Sequence, residues 1–135
     1  MRPEEVELVR YRMARAKESI EEARLLLASD HLHTAANRIY YACFYAVSAL
    51  LFTERLSSSK HSGVRALFDQ HWIKTGRVPK HLGRSYRRFY DMRQKGDYAD
   101  LVVFEAAEIQ QHLDDATAFV DAIAEKIQES TAGES

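Results

Sequence analysis

The run IYYACFYAVSALLF, from Ile39 to Phe52, constrains this chain more than any other stretch. It is apolar on nearly every side, so as a helix it cannot lie with one face in water and must sit at the centre of a bundle. It also falls short of the roughly 20 residues that cross a bilayer. Two prolines and five glycines in 135 residues leave few places for tight turns, which favours long helices over short strands. Hydrophobic residues at 46% and charged residues at 29% match a soluble globular domain with one core.

The flanking segments carry amphipathic seams. Pro3 suits a first helical turn, with Glu4, Glu5 and Glu7 facing the positive end of the dipole. Val6, Val9, Met13, Ala16, Ile20, Ala23 and Leu27 then recur in steps of three and four up to Ser29-Asp30. The apolar second helix is expected from about Thr34 to Glu54. SSSK (57–60) caps a third helix, roughly His61 to Lys74, which Gly76 stops. Pro79 opens a fourth, running to Lys95. A last helix, about Phe104 to Glu129, repeats the seam through Ile109, Leu113, Ala116, Val120, Ile123 and Ile127. The expected fold is all-α, an antiparallel up-and-down bundle of four to five helices. It forms a single domain over 1–130, with 131–135 a disordered tail. The first and last helices should flank the second, whose other apolar face would be covered by a second copy in a homodimer.

A net charge of −1 conceals a strong polarity. Lys74 to Lys95 holds eight basic residues against Asp91, whereas Asp97 to the end holds ten acids against Lys126. Either the basic and acidic helices face each other, or the basic one meets an anionic partner. The single cysteine, Cys43, fits a reducing compartment and a core position. The opening MRPEEVELVRYRMARAKE lacks the character of a secretory signal, and the cytoplasm is the expected location.

Three polar constellations are candidates for chemistry. Arg38, Tyr41, Tyr45 and Ser48 share one face of the second helix, beginning beside Asn37. Such an arginine needs either a carboxylate, for example on the last helix, or an external phosphate. Lys60 and His61, in KHSG, stand at a helix start whose amides favour an anion. Arg93, Gly96, Asp97 and Tyr98, in RQKGDYAD, read as a capped helix end or as a phosphate site. His31 and His33 have no Cys or acid cluster beside them, so neither a metal nor any other cofactor is expected.

NRIYYACFYAVSALL, KHSGVRALFDQHWIKTG and RRFYDMRQKGDYAD, in this order and spacing, resemble the successive signature segments of the HEPN family. The resemblance covers roughly Arg10 to Glu129. It implies a small helical bundle that dimerises through the face holding its polar motif. It further implies either a nucleotide-binding partner of a minimal nucleotidyltransferase (MNT) in toxin–antitoxin pairs, or a metal-independent ribonuclease built on an arginine followed by a histidine. Arg93 matches that arginine, but no histidine stands between Gln94 and Asp100. A phenol with an ordinary pKa of about 10 is a poor general base near neutrality. The expected function is nucleotide or RNA-phosphate binding in a basic cleft, with Asn37, Arg38, Tyr41, Lys60, His61, Arg93, Asp97 and Tyr98 as candidate contacts, of which Arg93 is the one matched to the family's motif. Catalysis by Arg93 with His61 or Tyr98 is an alternative, as is a purely structural dimerisation module.

Overall fold

The computed structural model describes residues 1–96 and 102–132. Its elements are α1 (Pro3–Ala28), α2 (Leu32–Phe52), α3 (His61–Phe68), α4 (Lys80–Gly96) and α5 (Ala106–Ala132). No strand occurs among the described residues. The all-α bundle is as the seams predict.

Helix α1 starts at Pro3, and its end is set by Asp30, whose φ of 61° turns the chain into the left-handed region and straight into α2. That short link forces α1 and α2 to run antiparallel. Glu5, at the start of α1, accordingly meets Arg55, just past the end of α2, at 3.0 Å. Midway along, Arg12 donates to the Ser48 carbonyl at 3.3 Å. The α1 seam is buried at Val9, Met13, Ala16, Ile20 and Ala23. Ala16, Ala23, Ala35, Ala42, Ala46 and Ala49 are fully buried. Small side chains let helices approach at the close end of the usual 8–10 Å range, while alanine keeps helix propensity high. Helix α5 lies along α1 and α2 with Ile109, Leu113, Ala116, Val120, Ile123 and Ile127 buried. Its Phe119 joins Phe68, Tyr86 and Phe89 in an aromatic core, stacked on Tyr86 at 5.9 Å.

The third helix differs from expectation. It is α-helical to Phe68 and then widens into a π-helical turn over Asp69–Ile73, closed by the Lys74 amide donating to the Asp69 carbonyl at 2.8 Å. The wider turn carries Trp72 into full burial. Gly76, at φ 76°, then reverses the chain, a conformation that L side chains rarely adopt. Arg77 fixes the reversal from outside, lying over the Trp72 ring at 4.7 Å and pairing with Glu54.

The charge polarity is not resolved by α4 facing α5. Among the described residues a single loose pair, Arg88 to Asp115 at 3.8 Å, joins the two helices. No described helix is long and apolar enough to cross a membrane.

Candidate anion site on α2, α3 and α4

Three helices converge on two adjacent tyrosines of α2. Tyr40 points inward and is fully buried, whereas Tyr41, one residue on, is half-buried. The Arg93 guanidinium, from the last turn of α4, lies over both rings, 5.4 Å from the Tyr40 centroid and 5.7 Å from that of Tyr41. His61, the first residue of α3, packs against the same two rings at 5.6 and 5.7 Å. The His61 Nδ1 and the Tyr40 hydroxyl share a hydrogen bond of 2.8 Å. Phe44, one turn along α2, closes against the His61 ring at 4.7 Å.

The electrostatics follow from this packing. Burial pushes the Tyr40 phenol up to about 12, although the Tyr86 hydroxyl and the nearby Arg93 charge pull the other way. Tyr40 therefore stays protonated at neutral pH. Arg93 Nε is buried and meets no hydrogen-bond acceptor among the described residues. A buried guanidinium donor without an acceptor is costly, and a phosphate or carboxylate oxygen is the group that would relieve it.

Arg38 approaches the Tyr41 ring from the N-terminal side, 5.0 Å from the centroid, and donates to Asn37 Oδ1 at 2.9 and 3.2 Å. Among the described residues its partners are Asn37 and Tyr41, not an acid of α5. Lys60 is the exposed N-cap residue of α3, and its amide donates to Ser58 Oγ at 3.2 Å. The Ser58 loop lies so close to α3 that a Cβ on Gly63 would come within 2.8 Å of Ser58 Cβ. The glycine of KHSG is thus what allows the loop to deliver Lys60 and His61 beside α2.

The sequence-derived candidates therefore divide. Arg38, Tyr41, His61 and Arg93 meet at one aromatic floor, with Asn37 attached through Arg38 and Lys60 at the start of α3. Asp97 and Tyr98 lie outside the described residues. His33 is engaged elsewhere, 2.9 Å from the Val102 carbonyl. Cys43 is fully buried, and burial pushes its thiol up. Tyr40, Phe44, Arg65 and Tyr90 were missed. Tyr40 and Phe44 read as core in an apolar run, yet their four-residue spacing was the available signal. Arg65 lies over the Tyr90 ring at 4.9 Å, and Tyr90 in turn meets Tyr40 at 6.1 Å.

A family model described as "HEPN domain" matches residues 9–127. The "UPF0332 protein" of Thermotoga maritima is 46% identical over 126 residues, covering 93% of this chain and 96% of that protein. "Putative toxin MJ0605" of Methanocaldococcus jannaschii is 33% identical, with 84% of each chain covered. "Putative toxin MJ0142" of the same organism is 34% identical over 71% of this chain and 65% of its own.

Proposed function

The chain belongs to the HEPN domain family, and from that membership we propose that it is a toxin-like HEPN protein whose Arg93 cleft binds the phosphate of a nucleotide or of RNA. The toxin names of the two Methanocaldococcus relatives support the first half of this reading. The observation that carries the second half is Arg93 itself, stacked on Tyr40 and Tyr41 with a buried Nε that lacks an acceptor among the described residues. Arg38 supplies a second guanidinium at the other side of Tyr41, and Tyr41 offers a half-exposed ring for a base. We place the protein in the cytoplasm, as a homodimer working with a minimal nucleotidyltransferase partner. The half-exposed strip Tyr41, Tyr45, Ser48 and Phe52 on α2 supports the homodimer.

A second reading, metal-independent ribonuclease, is favoured by one observation. Arg93 and His61 press on the same two rings, so an imidazole stands where the sequence after Arg93 offers none. In that reading His61 takes the proton of the ribose 2′-hydroxyl as its oxygen bonds to phosphorus, Arg93 stabilises the charge that builds on the phosphoryl oxygens, and the P–O5′ bond breaks with the leaving oxygen taking a proton from solvent.

One experiment tests both. ADP binding is measured by calorimetry, and labelled RNA is incubated in chelator, each with wild type, Arg93→Ala and His61→Ala. Binding lost in Arg93→Ala with RNA intact throughout supports the binding protein. Cleavage in chelator that vanishes in Arg93→Ala and in His61→Ala supports the nuclease. ADP binding that survives Arg93→Ala overturns the assignment of the cleft.

A further inference from the structure

Beside the Arg93 cleft, on the face formed by α3, its π-helical turn and α4, runs a second depression. Its two connected parts measure about 460 and 530 Å³ and share Asp69, Lys74 and Arg87. Lys80, Arg84 and Arg87 line it from α4 at steps of four and three, so all three point the same way. Lys74 faces them from beyond the π-helical turn, and Arg65 stands at the end nearest Tyr90. The half-buried Asp69 is the one carboxylate among the lining residues.

Two features set this surface apart from the other charged faces of the chain. First, none of Lys74, Lys80, Arg84 and Arg87 forms an ion pair among the described residues, although the chain carries as many acids as bases to within one. Second, α4 is drawn tight onto the π-helical turn at Gly83, where a Cβ would meet Ile73 carbons at 3.1 and 3.2 Å. That close approach forms the apolar floor between the cationic walls.

Packed side chains link the depression to the Arg93 site, the middle one, Tyr40, being fully buried. Arg65 lies over Tyr90, Tyr90 touches Tyr40, and Tyr40 lies under Arg93. Arg93 lies about 20 Å along α4 from Lys80 and about 140° round the helix axis from it, at 1.5 Å and 100° per residue, so a ligand touching both winds round the helix. One phosphate at Arg93 does not reach Lys80, whereas a chain of phosphates does.

We infer that this groove carries the backbone of a single-stranded nucleic acid whose end or reactive unit enters the Arg93 cleft. The inference rests on the phosphate-binding reading above and makes its ligand a strand rather than a mononucleotide. Arginine forks along the track bind successive phosphates, and Tyr90 with Tyr41 offers ring surface at the cleft end.

The test uses Arg84→Ala/Arg87→Ala, two exposed side chains outside the cleft, with Arg93→Ala as its counterpart. The probes are ADP and an oligodeoxyuridylate of about 12 nucleotides, which lacks the hydroxyl a ribonuclease would need. The double variant is expected to bind the oligonucleotide about tenfold more weakly. Its slope of log K against log salt should flatten by about 1.4, at about 0.7 for each phosphate no longer neutralised. ADP binding should be unchanged, while Arg93→Ala weakens both probes. Unchanged oligonucleotide affinity in the double variant overturns the groove, as does an equal loss of ADP binding. Displacement of the oligonucleotide by a polyglutamate peptide of equal charge overturns it in favour of an acidic protein partner. Wild type that binds ADP but not the oligonucleotide sinks the groove and spares the cleft. Wild type that binds neither sinks both.

Discussion

Tyr40 shows how one residue can belong to the core and to a site at once. Its ring is buried beneath Arg93, and its hydroxyl meets His61. Tyr40→Phe keeps the ring and deletes one hydrogen bond, so the expected stability loss in denaturant is about 1 kcal/mol. ADP affinity should stay within a few-fold, since the arginine and both rings remain. A loss as large as that of Arg93→Ala would mean the hydroxyl itself touches the ligand. Glu5 offers a cleaner electrostatic case. It accepts from the Arg2 amide at 3.1 Å, from Arg55 Nε at 3.0 Å and from Arg2 Nε at 3.2 Å, and these hold its carboxyl at about 2 against an ordinary 4.5. The unfolded chain takes up this proton near 4.5, whereas the folded one resists until about 2. The contribution is therefore complete above 4.5 and is lost as pH falls through 2. In acid titrations of stability, Glu5→Gln should lower stability near neutrality, where the contribution is complete, and flatten the curve between 4.5 and 2, so that the two proteins converge at low pH. At this scale the sequence identified charges more readily than partners. Arg38 and Arg93 were legible as arginines needing an anion, but Tyr40 was hidden because an apolar run gives no sign of which ring another helix will cover.

Among the elements, Gly63 and Gly83 make separable predictions. Gly83→Ala adds a methyl 3.1 Å from Ile73, a crowding cost of about 1–3 kcal/mol, partly offset by up to about 1 kcal/mol of helix propensity. Gly63→Ala drives a Cβ into the Ser58 side chain, so the loop that delivers His61 has to move. Thermal melts should show a loss for Gly63→Ala that Ser58→Gly largely restores, because removing the Ser58 side chain reopens the space. Failure of that rescue would locate the strain elsewhere. The bounds of α1 and α2 were legible to within two residues, since capping and periodicity act locally. The π-helical turn was not. Val64, Phe68 and Trp72 recur in steps of four and pass for one α-helical face, although such steps drift by about 40° each. The wider turn absorbs that drift and lets Trp72 reach the core, a demand set by tertiary packing.

At the scale of the molecule, charge and apolar surface make different claims on partners. The internal polarity was plain in the sequence, but nothing local told whether α5 would neutralise α4. With one loose pair between them among the described residues, the basic face is the one the proposed groove assigns to a nucleic-acid strand. The α2 strip that includes Tyr41 and Tyr45 is the surface on which the proposed homodimer depends. Tyr45→Ala, which removes a ring from the strip without adding a charge for the overlying Arg15 to pair, should shift sedimentation equilibrium toward monomer by about tenfold in Kd, equivalent to about 1.4 kcal/mol. An unchanged distribution would move the dimer interface off this face.

The tight α1–α2 connection has a kinetic consequence. The most extensive helix–helix packing in the molecule joins two segments adjacent in sequence, so its loop-closure entropy is small. That hairpin is expected to be the folding nucleus, with α4 and α5 docking onto it afterwards. Truncations such as Ala16→Gly or Ala46→Gly should then slow refolding, while Ile123→Val should mainly speed unfolding. The aromatic cleft, which needs α2, α3 and α4 together, would be among the last features to form and among the first to open.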